Sequence, residues 1–271
     1  MRDGGTVMQP AWPIYVISLR SATERRARCA DALARLGLRF EFFDAVEGAK
    51  LAAEEVARLY DPRKNARVYK HALSRPEMGC TLSHYSLWQR ISTGDAGGAF
   101  LLEDDFQAEP GLAEVMAAIS RASLKNCMVK LFSRGPAGGD EVGELPGGYK
   151  LVMPRHVPGQ TVGYAIDSIA AARLAAKAMP MARPVDMDIK HWWEFDVPVL
   201  MVQPSPLRVN VQQTGSSIEV AREKKHVGGL SRAWRNVCYQ LAYNAGVRAN
   251  RKRERQHLER LQAALRSADG R

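Results

Sequence analysis

Between residues 14 and 43 the hydrophobic period of the chain changes twice, and this restricts the fold more than any other feature. Ile14-Tyr15-Val16-Ile17-Ser18-Leu19 is a continuous, β-branched apolar run of strand length. It stops at Arg20. Ser21-Ala22-Thr23-Glu24 then has the S-x-x-E spacing of a helix capping box, and Ala27, Ala30, Leu33 and Leu36 follow at helical spacing until Gly37. Arg39-Phe40-Glu41-Phe42-Phe43 alternates as a second strand. Strand, helix, strand is the opening of a parallel sheet flanked by helices, and nucleotides bind at the carboxyl ends of such strands. The expected fold is therefore α/β, with a mostly parallel central sheet.

The same signals recur downstream. Ser74-Arg75-Pro76-Glu77 is a second capping box, ahead of Leu82, Tyr85, Trp88 and Ile91 at helical spacing, with Gly94 as the stop. Gly98 to Leu102 is a short apolar strand that runs straight into Glu103-Asp104-Asp105. Met128 to Phe132, Lys150 to Met153, Thr161 to Ile166 and Val199 to Val202 read as further strands, and Ser168 to Met179 as an Ala-rich helix stopped by Pro180. Residues 133–149, rich in Gly and short of apolar side chains, read as a loop and a candidate flexible lid.

Charge decides what kind of partner to expect. The chain has 271 residues, 46% hydrophobic, with a net charge of +10, and is long enough to bury a sizeable core. From residue 221 onward 13 Lys or Arg face 4 Asp or Glu, whereas residues 1–220 carry 26 basic against 25 acidic groups. A balanced domain over 1–220 and a basic helical extension over 221–271 are expected. No apolar run approaches the roughly 20 residues of a membrane span, and Met1 to Pro13 lack the apolar core of a signal peptide, so a cytoplasmic protein is expected. Cys29, Cys80, Cys127 and Cys238 are scattered without metal-finger or disulfide spacing, and read as free thiols.

Three consecutive acids leaving a buried strand repel one another and pay for desolvation unless a cation neutralises them. Mg²⁺ or Mn²⁺ fits that need, since both take oxygen ligands and complete their shells with phosphates and water. An exposed acidic turn is the plainer alternative.

The stretches VISLRSATERR at 16–26, FFDAVEG at 42–48, PEMGCTLSHYSLW at 76–88 and FLLEDDF at 100–106 resemble glycosyltransferase family 25, whose bacterial members build lipooligosaccharide. Gly163 to Ile166, Pro184-Val185-Asp186, Gln213 and Ser217-Ile218 extend the likeness over about residues 14–218. The resemblance implies a GT-A type fold, a UDP-sugar donor, usually UDP-galactose, and transfer with inversion to a saccharide of lipopolysaccharide or another envelope glycan. It also implies a D-x-D-like motif in which Asp105 and Glu103 hold the metal. Glu103 and Asp104, with Ser18, Leu19 and Arg20 at the first strand end and Arg25 on the first helix, would then face the nucleotide or diphosphate. Inversion needs a carboxylate base across the sugar. Asp186 and Asp188 are the candidates, beside Trp192 and Trp193, where Trp192 could stack on a sugar or simply fill the core. Gly79, Ser83 and His84 lie in the family-like run. Gly79 allows close helix packing or close approach of substrate, and His84 is either a hydrogen-bonded structural residue or a substrate contact.

In the basic extension, residues 229–246 and 249–267 read as two helices. Leu258, Leu261 and Leu265 form a stripe opposite a cationic face, so residues 249–267 could lie on an anionic membrane, near a lipid-linked acceptor on the inner leaflet, or dock on the body. A nucleic-acid-binding protein gripping phosphates with this extension is a competing class, but the balanced body shows no basic stripe. A metal-dependent nucleotidyl or phosphoryl transferase would use the same acids, and no Walker-type Gly-rich Lys loop is present to support phosphoryl transfer.

Overall fold

The computed structural model describes residues 9–122, 124–209 and 229–269. In chain order the first half contains β1 (Ile14–Ser18), α1 (Thr23–Arg35), β2 (Glu41–Asp44), α2 (Ala53–Leu59), α3 (Pro62–Val68), α4 (Arg75–Thr93), β3 (Gly98–Glu103), β4 (Phe106–Ala108), α5 (Leu112–Arg121) and β5 (Met128–Lys130). The second contains β6 (Gly139–Leu145), β7 (Tyr149–Pro154), β8 (Gly163–Asp167), α6 (Ser168–Lys177), α7 (Val185–Lys190), α8 (Trp192–Phe195), β9 (Val199–Gln203), β10 (Leu207–Val209), α9 (Gly229–Ala249) and α10 (Arg251–Asp269).

Eight strands form one sheet in the order β2-β1-β3-β8-β5-β9-β7-β6. β1 runs parallel to both β2 and β3, and β5 to β9. β8 is antiparallel to β3 and β5, and β7 to β9 and β6. The sheet is mixed, flanked by helices on both faces, and its α/β architecture is of the GT-A-like kind that the resemblance implies. Because both faces are covered, the inner strands read as continuous apolar runs. Along β1, Ile14 and Val16 join a core with Leu33 of α1, Met116 of α5 and Leu261 of α10, while Tyr15 and Ile17 join one with Leu87 and Trp88 of α4 and Leu174 of α6.

Two local expectations are revised and a third holds. The first capping box does not form, because α1 starts at Thr23 with Ala22 as its cap, without a side-chain hydrogen bond. The second does form: Ser74 N–H donates to Glu77 Oε2 at 2.8 Å. The candidate lid contains an edge strand, β6, in which only Val142 and Leu145 are buried. Its low apolar content is that of a strand with one half-exposed face.

The C-terminal helices dock on the body. Leu261 is fully buried, Leu258 and Leu265 pack against the same core, and Gln262 Nε2 donates to the Glu141 carbonyl of β6 at 2.7 Å. Of the two expectations for the leucine stripe, docking on the body describes what is seen: the leucines are turned inward, and Arg251, Lys252, Arg253 and Arg255 are exposed. On α9, Tyr239, Tyr243 and Val247 are buried against the α7–α8 region. The expected boundary at 220/221, and Gln213, Ser217 and Ile218, lie outside the described residues.

Candidate active site

The parallel pairing of β1 with β2 and β3 brings Ser18, Asp44 and Glu103 to the same end of the sheet. Just beyond β3, Asp104 turns toward α1. Its Oδ2 accepts from Ser18 Oγ at 2.5 Å and its Oδ1 from Arg25 Nη1 at 2.9 Å. Arg25 is therefore held on the acidic cluster, whereas the exposed Arg20 donates to Asp44 Oδ2 at 2.7 Å, with Arg26 on the other oxygen of Asp44. These partners hold the Asp44 carboxyl below its ordinary range. Leu19, half-buried, follows Ser18 and accepts the Ala22 N–H that begins the helical turn.

Glu103 points to the other side of the strand. Thr161 Oγ donates to its Oε1, and His84 Nε2 lies 3.3 Å from the same oxygen. The other nitrogen of His84 lies 2.8 Å from the Tyr164 hydroxyl, which accepts from Trp88 Nε1 at 2.9 Å. A carboxylate only accepts, so the chain Trp88 to Tyr164 to His84 to Glu103 puts the His84 proton on Nε2. His84 is 1% exposed, and it acts on the site through Glu103. Burial pushes the Glu103 carboxyl up, but His84 and Thr161 more than offset that and leave it below its ordinary range.

Asp105 lacks such support. Its Oδ1 is buried with no hydrogen-bond partner among the described residues. Burial, then repulsion from Glu103 and Asp104, pushes its pKa up to about 7. A buried carboxylate oxygen without a donor costs about 1–3 kcal/mol or more, which a cation would relieve. With Glu103 beside it, the donor set is the one or two carboxylates that a Mg²⁺ or Mn²⁺ nucleotide site uses. The residues fit a hard divalent ion. A cleft of about 580 Å³ opens beside Asp104 and Asp105 on the α1 side, between α1 and β4.

The two candidate bases are separated by their surroundings. Asp186 is half-buried, and its Oδ2 lies 3.4 Å from the backbone N–H of Gln160, the residue next to Thr161. Consecutive residues of one loop thus hold Glu103 and Asp186. Asp188 is buried away from that loop, accepting from Arg183 Nε at 2.7 Å, and burial raises its pKa to about 6 against the pull of Arg183. The geometry makes it a structural ion pair, and Glu194 holds the other face of the guanidinium.

Lys130, which no motif marks, fixes the loop. It is 1% exposed at the end of β5, and its Nζ donates to the carbonyls of Pro158 at 2.6 Å, Gly159 at 3.0 Å and Gln160 at 2.6 Å. Burial lowers its pKa to about 8, although the charges of Asp186 and Glu103 pull it up.

The remaining expected contacts are structural. A Cβ on Gly79 would lie 2.5 Å from the Val46 carbonyl and 2.6 Å from Gly48 N, so this glycine lets α4 press against the Val46–Gly48 turn. Ser83 Oγ, fully buried, donates to the Gly79 carbonyl and accepts from Val46 N–H, both at 2.8 Å. Trp192 is buried in the core beside His257 of α10, and Trp193 packs against Gly246 and Tyr243 of α9, so this aromatic pair anchors the C-terminal helices. Asp44, Thr161, Tyr164 and Lys130 were not singled out from the sequence, because their roles depend on contacts distant in sequence.

The sequence profile of glycosyltransferase family 25 (LPS biosynthesis protein) matches residues 11–134. A glycosyltransferase 25 family member of Anopheles gambiae is 35% identical over 100 residues, covering 36% of this chain and 17% of the relative. Procollagen galactosyltransferase 1-B of Xenopus laevis is 28% identical over 182 residues, covering 65% of this chain and 30% of the relative. The lacto-N-neotetraose biosynthesis glycosyltransferase LgtB of Neisseria meningitidis is 36% identical over 103 residues, covering 38% of this chain and 36% of the relative. The chain thus spans well under two thirds of the length of these relatives.

Proposed function

This chain carries a glycosyltransferase family 25 domain over residues 11–134, and on that premise we propose that it transfers a sugar, galactose from UDP-galactose, with inversion onto a saccharide acceptor of the cell envelope. The observation that carries the reading is the unpartnered buried oxygen of Asp105 at the end of β3, with Glu103 and Asp186 held by consecutive residues of one loop. Two of the relatives named above, one a galactosyltransferase and one a glycosyltransferase of lacto-N-neotetraose biosynthesis, support the donor and the acceptor class.

In this reading Asp105, with Glu103, holds Mn²⁺ or Mg²⁺, which when bound neutralises charge on the donor diphosphate and its leaving group. Ser18 and Arg25 fix Asp104 at the nucleotide side. The acceptor hydroxyl oxygen bonds to the anomeric carbon from the face opposite the diphosphate, the diphosphate departs with the bonding pair, and Asp186 takes the hydroxyl proton. The His84, Tyr164 and Trp88 chain keeps Glu103 ionised and oriented, and Lys130 keeps the loop between the carboxylates in place.

Calorimetric titration with UDP-galactose, UDP-glucose and UDP-N-acetylglucosamine, each with Mn²⁺ and again with a chelator, tests this. Metal-dependent binding of UDP-galactose alone is expected. Binding that ignores the chelator would remove the metal, and preference for another donor would remove galactose.

A further inference from the structure

The outward face of α9 is apolar, although its inward face already packs on the body. At helical spacing Trp234, Val237 and Leu241 fall on one side, exposed by 69%, 48% and 64%, and the exposed Cys238 and Ala245 continue that side. Tyr239, Tyr243 and Val247 on the opposite side are buried. A helix apolar on both sides calls for cover on both, and only one is covered among the described residues.

Charge on the same helix narrows the occupant. Gly229–Ala249 holds three arginines and no acidic residue. Arg235 and Arg248 are exposed near the two ends of the stripe, and exposed Arg251, Lys252, Arg253 and Arg255 follow at once on α10. Three large side chains cannot supply the roughly 800 Å² per partner of a stable protein interface. They do suffice for shallow insertion at a lipid surface, where an indole sits at headgroup depth and arginines meet anionic heads. No helix among the described residues is long and apolar enough to cross a membrane, so the contact would be peripheral.

We propose that the outward face of α9, through Trp234, Val237 and Leu241 with Arg235 and Arg248, binds the surface of an anionic lipid bilayer. The inward face bears on the α7–α8 region: Tyr239 reaches Met187 and lies 5.9 Å from His191 between ring centroids, Tyr243 packs on His191 at 5.4 Å, and Tyr239 also meets Tyr69, just after α3, edge-on at 5.6 Å. Docking through α9 therefore places the membrane on the far side of this helix from α7, the element that carries Asp186. The lipid contact stands apart from the transferase reading, and its test needs no sugar donor.

The full chain is sedimented with vesicles of mixed phosphatidylcholine and phosphatidylglycerol, and with pure phosphatidylcholine, at rising salt. Binding to the anionic vesicles that weakens with salt is expected, with a blue shift of tryptophan emission. Trp234→Ser combined with Leu241→Gln should cut partitioning at least about tenfold, equivalent to about 1.4 kcal/mol, with an unchanged circular dichroism spectrum, while Trp234→Phe should retain binding. Equal binding by the double variant, or none by the wild type, overturns the proposal. So does a concentration-dependent dimer that the double variant abolishes without vesicle binding, since a second copy would then cover the face.

Discussion

The acids at the end of β3 and those on α7 differ in how the fold provides for them. At β3 the backbone presents consecutive carboxylates to different sides: Asp104 has Ser18 and Arg25, Glu103 has Thr161 and His84, and Asp105 keeps a buried oxygen without a donor. On α7 two acids only two residues apart are divided into a half-buried carboxylate against a loop and a buried ion pair with Arg183. Crowding at a strand end leaves one carboxylate oxygen without a donor, and division on a helix leaves one acid facing a loop and one in an ion pair.

Substitutions can break this contrast. Asp105→Asn should have the largest effect, abolishing turnover while thermal unfolding stays cooperative; full activity in that variant would remove the metal assignment. Asp186→Asn should slow transfer by about 10² to 10⁴-fold with donor affinity unchanged by calorimetry, and an unaltered rate would exclude it as the base. Asp188→Ala should instead lower stability by about 3–5 kcal/mol, measured by urea denaturation, because it strips one partner from the buried Arg183. A rate loss without a stability loss there would erase the distinction between the two acids.

Lys130 sharpens the comparison with a smaller, pH-dependent effect. Its folded pKa of about 8 lies below its ordinary 10.5, so burial favours the neutral amine. For a depressed pKa the stabilising contribution is fully present above about 10.5 and is lost as pH falls through about 8. Wild type should therefore gain stability relative to Lys130→Met between pH 8 and 10.5, by on the order of 3 kcal/mol at most. A flat difference across that window would mean that the lysine is not desolvated in the folded state.

The elements legible in the sequence are those that local physics decides. The β1-α1-β2 opening, the Ser74 capping box and the placing of Glu103-Asp104-Asp105 at a strand end follow from period and capping chemistry. The edge strand β6 was hidden because an exposed strand looks polar, and Ser21 failed as a cap because the chain enters α1 two residues later. Asp186 and Asp188 could not be ranked because their difference lies in partners from elsewhere in the fold, the N–H of Gln160 for one and a buried Arg183 for the other. Whether Trp192 stacks on a sugar or fills the core stayed open in the sequence, because an aromatic pair carries no sign of which surface it meets.

The insertion of β8 between β3 and β5 also bears on how the chain is made. As the chain leaves the ribosome, β3 appears with β1 ready on one side and an open edge on the other. Its second neighbour has not yet been synthesised, and Glu103 waits 58 residues for Thr161. At an elongation rate of about 5–20 residues per second that interval lasts several seconds. For that time the nascent chain exposes an apolar strand edge and an acid still without its Thr161 partner, so translation pauses between residues 103 and 163 would prolong its most aggregation-prone state.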